Sequence, residues 1–548
     1  MRHSFAAAWL TVLLLTAAST PAAAQAPEPS AALDSIFARW TRQTPGCAVG
    51  VAGGSQPAIA RAYGLADLEH GVKNTPDTIF EAGSVSKQFT AAAVLLLAHE
   101  GKLSLDDPAR KYLPELPDYG APLTIRQMLT HTSGLRDWGN LAGIAGWPRT
   151  TRAHTHSHVL DIVSRQRALN FPSGTRWSYS NTGYNLAAVI VSRVSGMPFA
   201  EFTKQRLFAP NGMTNTSWRD DHTRVVKGRA TSYSKEADGY HTLMPFENVH
   251  GNGGLLTTVG DLLKWNDRLD AGEVVGEAFV RALEEPGRFA DGRAHRYALG
   301  LVVGRYKGVR EISHGGATAG YRSFLARYPE QQLSVAVLCN AADAAAADYA
   351  HAAADLFVPG VKTPEATSTY AVTSTDIAGL AGLYRHVLNG SPLELVAEGM
   401  RLCVAGGPVA GILSGSEFTT PDGRKWTLSG TTLRASGDTG NDTFERVARA
   451  SPAAAQLGEL AGTYANDEVE TEVTVSLDGD ALVIRSRPDT SRRLTPLYAD
   501  AFSGSGGTVI FRRDPQGRVQ GFSLVQDRVW DLRFTRREPP AATATNRQ

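Results

Sequence analysis

The sequence predicts an α+β domain, with an antiparallel sheet flanked by helices, followed by two small all-β modules. Strand-like runs concentrate near both ends of residues 25–360, with helical patterns between them. This distribution favours a sheet built from both ends of the domain. A segment rich in Pro, Ser and Thr, residues 361–375, indicates a linker. Beyond it, short alternating strands separated by Gly and Asp turns predict all-β structure.

The N-terminal residues 1–24 have the pattern of a secretory signal peptide. A basic start at Arg2 is followed by an apolar core over 5–18 and by small residues at 22–24. A membrane anchor is the alternative, but the apolar core is shorter than the ~20 residues that a span needs. We therefore expect an exported protein, periplasmic or secreted, with no membrane span in the mature chain.

Composition excludes some classes of partner. The net charge is +1 over 548 residues, so no broad basic surface for nucleic acid is expected. The oligomeric state has no signal in the sequence.

The helical and strand patterns follow one another in a clear order. An amphipathic helix is predicted over 30–43, two strands over 46–53 and 57–64, and a mostly apolar helix over 85–99. The later elements are helices predicted over 123–129, 186–191, 259–269 and 343–357, and strands predicted over 297–305, 309–314, 321–327 and 332–339.

The C-terminal part contains an internal repeat. The motif Leu-Ala-Gly-x-Tyr at residues 380–384 recurs at residues 460–464, and alternating strand patterns follow each copy. This repeat predicts two β-barrel-like or sandwich modules, over 376–449 and 456–537. One larger β domain is the alternative interpretation.

The chain has three cysteines, which is too few for a disulfide scaffold. Cys47 and Cys339 lie in strand-like runs, where small buried residues are expected. A bridge between them is possible if the two strands are neighbours. Cys403 is the third cysteine. No Cys/His cluster has zinc spacing, so no metal is expected.

A candidate nucleophile lies at the start of the helix predicted over 85–99. Ser84 follows the turn-forming Gly83, and Lys87 is three residues further along, on the same helix face. A serine needs a base beside it, and burial lowers a lysine pKa enough for it to serve. Backbone N–H groups at a helix start can stabilise an oxyanion. The structural alternative is that Ser84 caps the helix and Lys87 extends into solvent.

Two further motifs contain groups suited to catalysis. Tyr179 and Asn181 are two residues apart in a polar stretch, so both side chains can point the same way. His314 and Gly316 belong to a His-Gly-Gly-Ala run after a predicted strand, where glycines allow backbone to approach a ligand. Each motif alone also fits a structural role, as a core tyrosine or an ordinary hairpin turn.

The ordered set S-x-x-K, Y-x-N and H-x-G resembles the serine β-lactamase and penicillin-binding-protein superfamily, in its class C-related branch. The resemblance extends over residues 30–360. A domain of this branch followed by two β modules also resembles D-aminopeptidase and related D-stereospecific peptidases and esterases. The resemblance to this superfamily implies a serine hydrolase that needs no metal or organic cofactor.

The resemblance implies roles for these residues. Ser84 would attack a carbonyl to form an acyl-enzyme, and Lys87 would accept the serine proton, alone or with Tyr179. Tyr179 would return the proton to the leaving group, and Asn181 would hold Lys87 and the substrate amide. The backbone N–H groups of Ser84 and Ala317 would form the oxyanion hole.

Two positions depart from the family pattern. Familiar β-lactamases have lysine where this chain has His314, which is mostly neutral at neutral pH. Efficient β-lactam hydrolysis and carboxylate-dependent D,D-carboxypeptidase activity are therefore not expected, whereas amino-terminal peptidase or esterase substrates fit better. The resemblance to D-aminopeptidases implies a polar side chain at the amine end of the site, on the strand before H-x-G. The nearest residues here, 301–303, are the apolar Leu-Val-Val.

We therefore expect an exported serine hydrolase acting on amide or ester bonds of small peptides or related compounds, with D-amino-acid peptidase or amidase as the leading class. A short-chain esterase and a weak β-lactamase are alternatives. A non-catalytic protein that binds cell-wall peptides is an alternative of another class.

Overall fold

The computed structural model describes residues 29–538, apart from 54–55, 358–369, 439 and 505. The predicted signal peptide, 1–24, lies outside these residues, and so does most of the predicted linker. Within the described part of the chain, no helix is both long and apolar enough to cross a bilayer.

Twelve α-helices are present in the described ranges. A 3₁₀ turn, Gly83–Ser86, runs directly into the second of them. They are α1 (Pro29–Ile36), α2 (Lys87–His99), α3 (Ile125–Leu129), α4 (Trp138–Ile144), α5 (His156–Ser164), α6 (Asn181–Ser195), α7 (Phe199–Thr203), α8 (Val259–Asp270), α9 (Glu277–Glu284), α10 (Ala346–Asp355), α11 (Ser374–Leu380) and α12 (Ala454–Glu459).

The α+β domain is built around a six-stranded sheet. Its strand order is β10-β11-β12-β13-β1-β2, and every neighbouring pair is antiparallel. Strands from the two ends of the domain thus join in one sheet, which confirms the predicted fold. The strands of this domain are β1 (Cys47–Gly53), β2 (Gln56–Tyr63), β3 (Leu65–Asp67), β4 (Val72–Lys73), β5 (Phe80–Glu81), β6 (Ser217–Trp218), β7 (Tyr233–Glu236), β8 (Gly239–Thr242), β9 (Leu255–Thr257), β10 (Val302–Tyr306), β11 (Val309–Thr318), β12 (Tyr321–Tyr328) and β13 (Leu333–Cys339).

The central strand β13 is buried on both faces, because helices cover each side of the sheet. Val335 and Val337 face one side, where they pack with Leu33 of α1 and Ala350 of α10. Leu338 faces the other side and joins the larger core formed around α2, α6 and α8. Alternate residues of a strand point to opposite faces, so this strand is mostly apolar, and all seven of its residues are buried.

Two local predictions are wrong in detail. The helix predicted over 30–43 ends at Ile36, and tight turns then bring Phe37 and Trp40 into the core. The strand predicted over 297–305 begins only at Val302. Gly300 has φ +76°, and a Cβ there would lie 2.5 Å from the backbone nitrogen at the start of α2. A left-handed turn pressed against that helix interrupts the extended backbone.

Cys47 and Cys339 form a disulfide bond. The two residues are direct partners in the register of β1 and β13. Both are fully buried, as expected for their strand positions. Cys403 is buried without a disulfide partner.

The C-terminal region contains two separate β units rather than one continuous sheet. The first is an eight-stranded sheet in the order β16-β15-β14-β21-β20-β19-β18-β17, and the second is a closed eight-stranded barrel, β22 to β29. Their strands are β14 (Gly382–His386), β15 (Pro392–Glu398), β16 (Arg401–Val404), β17 (Gly411–Ser414), β18 (Glu417–Thr419), β19 (Lys425–Ser429), β20 (Thr432–Ser436), β21 (Asp442–Val447), β22 (Gly462–Asn466), β23 (Thr471–Asp478), β24 (Ala481–Ser486), β25 (Thr490–Pro496), β26 (Ala501–Gly504), β27 (Gly507–Arg513), β28 (Val519–Gln526) and β29 (Val529–Arg536).

The sequence repeat marks the same structural corner in both β units. In each copy, the tyrosine hydroxyl donates to the carbonyl of the leucine four residues earlier. Tyr384 donates to Leu380 over 2.8 Å, and Tyr464 donates to Leu460 over 2.7 Å. These bonds satisfy a carbonyl at the end of a short helix, where the chain turns into the first strand.

The barrel is docked on α4 of the α+β domain. Leu141 of α4 is fully buried within the apolar core of the barrel. Arg136, just before this helix, pairs with Glu468 of the barrel over 2.9 Å. The backbone N–H of Asp137 donates to the carbonyl of Arg528, in the turn between β28 and β29. The last hairpin of the barrel is thereby held against the α+β domain.

Candidate active site

Ser84 lies in the 3₁₀ turn that leads into α2. Gly83, immediately before it, has φ +49°, and a Cβ there would lie 2.7 Å from the backbone nitrogen of Ala317. Only glycine accommodates both the positive φ and this close approach of β11. The nucleophile turn therefore lies directly against β11 beside Ala317, whose backbone N–H is predicted to form the oxyanion hole with that of Ser84.

Lys87 is completely buried one turn after Ser84. Its Nζ donates to Ser84 Oγ at 3.1 Å, to Asn181 Oδ1 at 3.0 Å and to the carbonyl of Asn252 at 2.7 Å. Burial lowers the pKa of Lys87 well below its ordinary value, and the charge of Arg528 lowers it further. The alternative in which Lys87 extends into solvent is excluded.

Tyr179 packs over the same amine. Lys87 Nζ lies 4.8 Å from the centroid of the Tyr179 ring. Burial raises the pKa of Tyr179 well above its ordinary value, while a hydrogen bond with Ser84 and the charge of Arg528 oppose that rise. The His131 ring lies 4.3 Å from the Tyr179 ring and supports it from behind. The phenol is therefore protonated at neutral pH.

Asn181 begins α6, and its position is fixed from α4. Its backbone N–H donates to Asp137 Oδ2 at 2.8 Å, while Asp137 Oδ1 accepts from two N–H groups at the start of α4. One carboxylate thus caps two helix starts and links them. Because the Asn181 oxygen accepts from Lys87, its NH₂ group is directed elsewhere.

His314 is neutral and has both ring nitrogens engaged. Nδ1 donates to the carbonyl of Gly315 at 2.6 Å, and Nε2 accepts from the Tyr297 hydroxyl at 2.9 Å. Burial and then the charge of Lys87 lower the pKa of His314 to about 4. The run from His314 to Ala317 lies within β11, not in the hairpin turn considered for it, because the strand continues to Thr318.

Gly316 is required where β11 touches the nucleophile turn. A Cβ at this position would come within 2.1 Å of the Ala82 carbonyl oxygen and 2.2 Å of Ser323 Oγ. Ser323 on β12 donates to that same carbonyl at 2.7 Å. The absence of a side chain at Gly316 therefore sets the spacing between Ser84 and the backbone of β11.

The predicted side chains and backbone groups converge on one cavity of about 530 Å³. Among the described residues that line it, Asp348 is the only carboxylate, so the lining offers no cluster of metal ligands. The apolar residues 301–303 are not part of this lining. Six of the predicted site residues line the cavity directly, with Lys87 buried behind them: Ser84, Tyr179, Asn181, His314, Gly316 and Ala317.

Sequence reasoning did not identify four other residues at the site. Asn252 accepts from Lys87, Tyr297 fixes His314, and Arg149 and Arg528 line the cavity. The Gly-Asn-Gly-Gly run around Asn252 was a usable signal for backbone close to a site. No sequence signal marks Arg528, because it lies in an ordinary turn of the barrel, far along the chain from the other site residues.

A serine hydroxyl bonded to a buried amine of lowered pKa is chemically an activated nucleophile. The neighbouring phenol can donate a proton, and the backbone at Ser84 and Ala317 can bind developing negative charge. The arrangement is therefore suited to acyl transfer.

Comparison with known proteins agrees with this geometry. The beta-lactamase family model matches residues 30–358, more than half of the chain. D-aminopeptidase from Brucella ovis is 27% identical over 504 residues, which cover 88% of this chain and 93% of that protein. D-aminopeptidase from Cereibacter sphaeroides is 28% identical over 450 residues, covering 80% and 83% respectively.

Solved structures show the same fold. The octameric penicillin-binding protein homologue from Pyrococcus abyssi superimposes with a TM-score of 0.55 at 22% identity, covering 76% of this chain and 99% of that one. D-amino acid amidase from Ochrobactrum anthropi has a TM-score of 0.52 at 22% identity, with 60% and 98% covered. The chain therefore belongs to the beta-lactamase family and is a serine hydrolase of that family.

Proposed function

We propose that this protein is an exported D-amino-acid peptidase or amidase that hydrolyses small amide substrates through an acyl-enzyme on Ser84. The observation that carries the proposal is the 3.1 Å contact between Ser84 Oγ and the fully buried Lys87 Nζ. The D-aminopeptidase relatives, which match across both the α+β domain and the β units, support the substrate class.

Lys87 is the base in this proposal. It is the group whose pKa is lowered, so it reaches the neutral amine at a pH where Tyr179 remains a phenol. The amine accepts the Ser84 proton as Oγ attacks the substrate carbonyl. Asn181 Oδ1 and the Asn252 carbonyl then stabilise the ammonium that forms.

Tyr179 donates the proton that the leaving amine needs. As the C–N bond breaks, the phenol proton passes to the leaving nitrogen, and the Lys87 ammonium returns a proton to the phenolate. The backbone N–H groups of Ser84 and Ala317 hold the oxyanion, and removing such a donor typically costs about 10²–10³ in rate. Water then attacks the acyl-enzyme, with Lys87 as base again.

Export is the second part of the proposal. The signal-like pattern of residues 1–24 supports it, and so does the disulfide between Cys47 and Cys339, because disulfides persist in oxidising compartments. In cell fractions of the native source, we expect the protein outside the cytoplasm. Its N-terminus should lie near residue 25. An intact N-terminus in the cytoplasmic fraction would contradict export.

Matched chromogenic substrates test the activity. Wild-type protein should hydrolyse D-alanine p-nitroanilide in preference to L-alanine p-nitroanilide, a short acyl ester and a cephalosporin. Ser84→Ala should abolish turnover, and a serine-directed phosphonate should add its mass to wild type only. Ser178→Ala is the matched control, since its hydroxyl lies outside the cavity lining. Preference for the ester or the cephalosporin would reject the proposed substrate class, and equal turnover by wild type and Ser84→Ala would reject the nucleophile.

A further inference from the structure

Four cationic side chains surround the active-site cavity, but they differ in whether their charge is available. Lys87 is buried behind the lining and is committed to Ser84, Asn181 and Asn252. Arg149, Arg322 and Arg528 line the cavity itself. The neutral His314 adds no positive charge, so a substrate anion would depend on these arginines.

Two of the arginines are already engaged. Arg149 forms a two-point ion pair with Glu247, a carboxylate that is 3% exposed, and its Nε contact is 2.7 Å. Arg322 Nη1 donates to the carbonyls of Ala319 and Tyr321 at 2.9 and 2.7 Å. The Arg149 charge is therefore paired with a carboxylate, whereas the Arg322 guanidinium is bonded to backbone carbonyls through one of its nitrogens.

Arg528 differs from the other two arginines because it lies against Tyr179. Its guanidinium lies 4.8 Å from the centroid of the Tyr179 ring, on the cavity side of the barrel. Its carboxylate neighbour is Asp527 at 3.4 Å, and that side chain is 88% exposed, so water screens the pair. The Arg528 charge therefore remains able to bind an anion in the part of the cavity beside Tyr179.

The hairpin that presents Arg528 is held rigidly by the α+β domain. The Arg528 carbonyl accepts from Asn170 Nδ2 at 3.1 Å and from the Asp137 N–H at 3.2 Å. Asn170 Oδ1 accepts in turn from the N–H of Trp530 at 2.8 Å. Two segments of the catalytic domain thus fix the backbone at the arginine and just after it. A preorganised guanidinium loses little entropy when it binds a carboxylate.

We propose that Arg528 binds a free carboxylate on the leaving group of the substrate, one residue beyond the scissile bond. Arg528 covers Tyr179, the residue that protonates the leaving amine in the function proposed above, on which this inference rests. The positive charge of Arg528 beside Tyr179 would favour short peptides with a free C-terminal carboxylate over the corresponding C-terminal amides. The barrel, not β11, would then supply the positive charge for substrate recognition.

The test compares two substrates that differ only in that carboxylate. D-alanyl-glycine and D-alanyl-glycinamide share the same scissile bond and the same amino group. A charge-assisted bond at a partly exposed site predicts that wild type favours the carboxylate form about tenfold in kcat/KM. Arg528→Gln should reduce this ratio to near one, and Arg528→Lys should keep part of it. Arg518→Gln, at the other end of β28, is the matched control and should keep the full ratio.

A binding measurement separates this inference from the proposed function. In the Ser84→Ala background, calorimetry gives the Kd of each dipeptide without turnover, before and after Arg528→Gln. Tighter binding of the free carboxylate that is lost in Arg528→Gln would support the inference, even if the wild type failed to hydrolyse D-alanine p-nitroanilide. Equal affinities, no binding of either compound, or a preference that survives Arg528→Gln would overturn it. Absence of anilide turnover alone would count against the proposed function only.

Discussion

Arg136 and Glu468 form an ion pair of 2.9 Å across the junction of the α+β domain and the barrel, with side chains only 2% and 12% exposed. Glu468 also accepts the backbone N–H of Arg167 at 2.8 Å. Asp137, the residue after Arg136, accepts a hydrogen bond from the backbone N–H of Asn181 in the active site. The ion pair that docks the barrel is therefore adjacent in sequence to Asp137, which positions Asn181, and Asn181 in turn accepts a hydrogen bond from Lys87.

Glu468→Gln should destabilise the protein by about 3 kcal/mol, because it leaves the Arg136 charge buried without its partner. We expect turnover to fall as well, since Asp137 and the Arg528 turn share this junction. Urea unfolding and kcat/KM measure the two effects. Glu472→Gln, at an exposed position on β23, is the control and should change neither. A Glu468 variant as stable as the wild type would show that the pair contributes nothing to docking.

Gly316→Ala should inactivate the enzyme, because the new methyl group would meet the Ala82 carbonyl and Ser323 Oγ. The nucleophile turn and β11 must then separate, and a displacement of ~1 Å at a catalytic group costs on the order of 100-fold in rate. Overpacking adds a stability cost of about 1–3 kcal/mol. The matched control is Gly304→Ala on the adjacent β10, where a Cβ meets nothing within 4 Å. Similar activity losses in both variants would refute the specific role of Gly316.

The resemblance of the ordered motifs S-x-x-K, Y-x-N and H-x-G to the serine β-lactamase superfamily predicted that Ser84, Lys87, Tyr179 and His314 share one site. The residue patterns alone could not predict it, because each motif also fits a structural role. The antiparallel sheet was predictable from the pattern, since strand-like runs lie near both ends of the domain. The strand predicted over 297–305 was wrong at its start, because the left-handed turn at Gly300 depends on a contact with α2 that the local sequence does not reveal.

Arg528 could not be predicted from the sequence. It occupies a two-residue turn between β28 and β29, where an arginine is common on any surface. Its place over Tyr179 depends on how the barrel packs on Leu141 and on the Arg136 pair, and these are contacts between residues far apart in the chain. The direction of the His314 ring was likewise hidden, since it depends on Tyr297.

The pH profile of kcat/KM should report Lys87. A protonated Lys87 cannot accept the serine proton, so activity falls as the pH drops below the lowered pKa of this group. The Arg528 charge disfavours the ammonium form, and removing it therefore raises the pKa of Lys87. Arg528→Gln should move the acidic limb to higher pH, whereas Arg528→Lys should leave it near the wild-type position.

Rates measured from pH 5 to pH 10 with D-alanine p-nitroanilide check this shift. His314 stays neutral over that range, because its pKa is about 4, so it adds no inflection. An acidic limb that does not move in Arg528→Gln would mean that Lys87 does not sense the arginine.

The Cys47–Cys339 disulfide should stabilise the domain without contributing to catalysis. It joins residues 292 positions apart, and cross-links that close long loops restrict the unfolded chain strongly. The double variant Cys47→Ala/Cys339→Ala should lose about 3–5 kcal/mol in urea unfolding but keep its kcat/KM at 25 °C, since neither residue touches the cavity. Cys403→Ala is the control that removes the remaining thiol and leaves the disulfide in place. In the wild type, alkylation after denaturation without reductant should label one cysteine, and labelling of all three would show that the bond is absent.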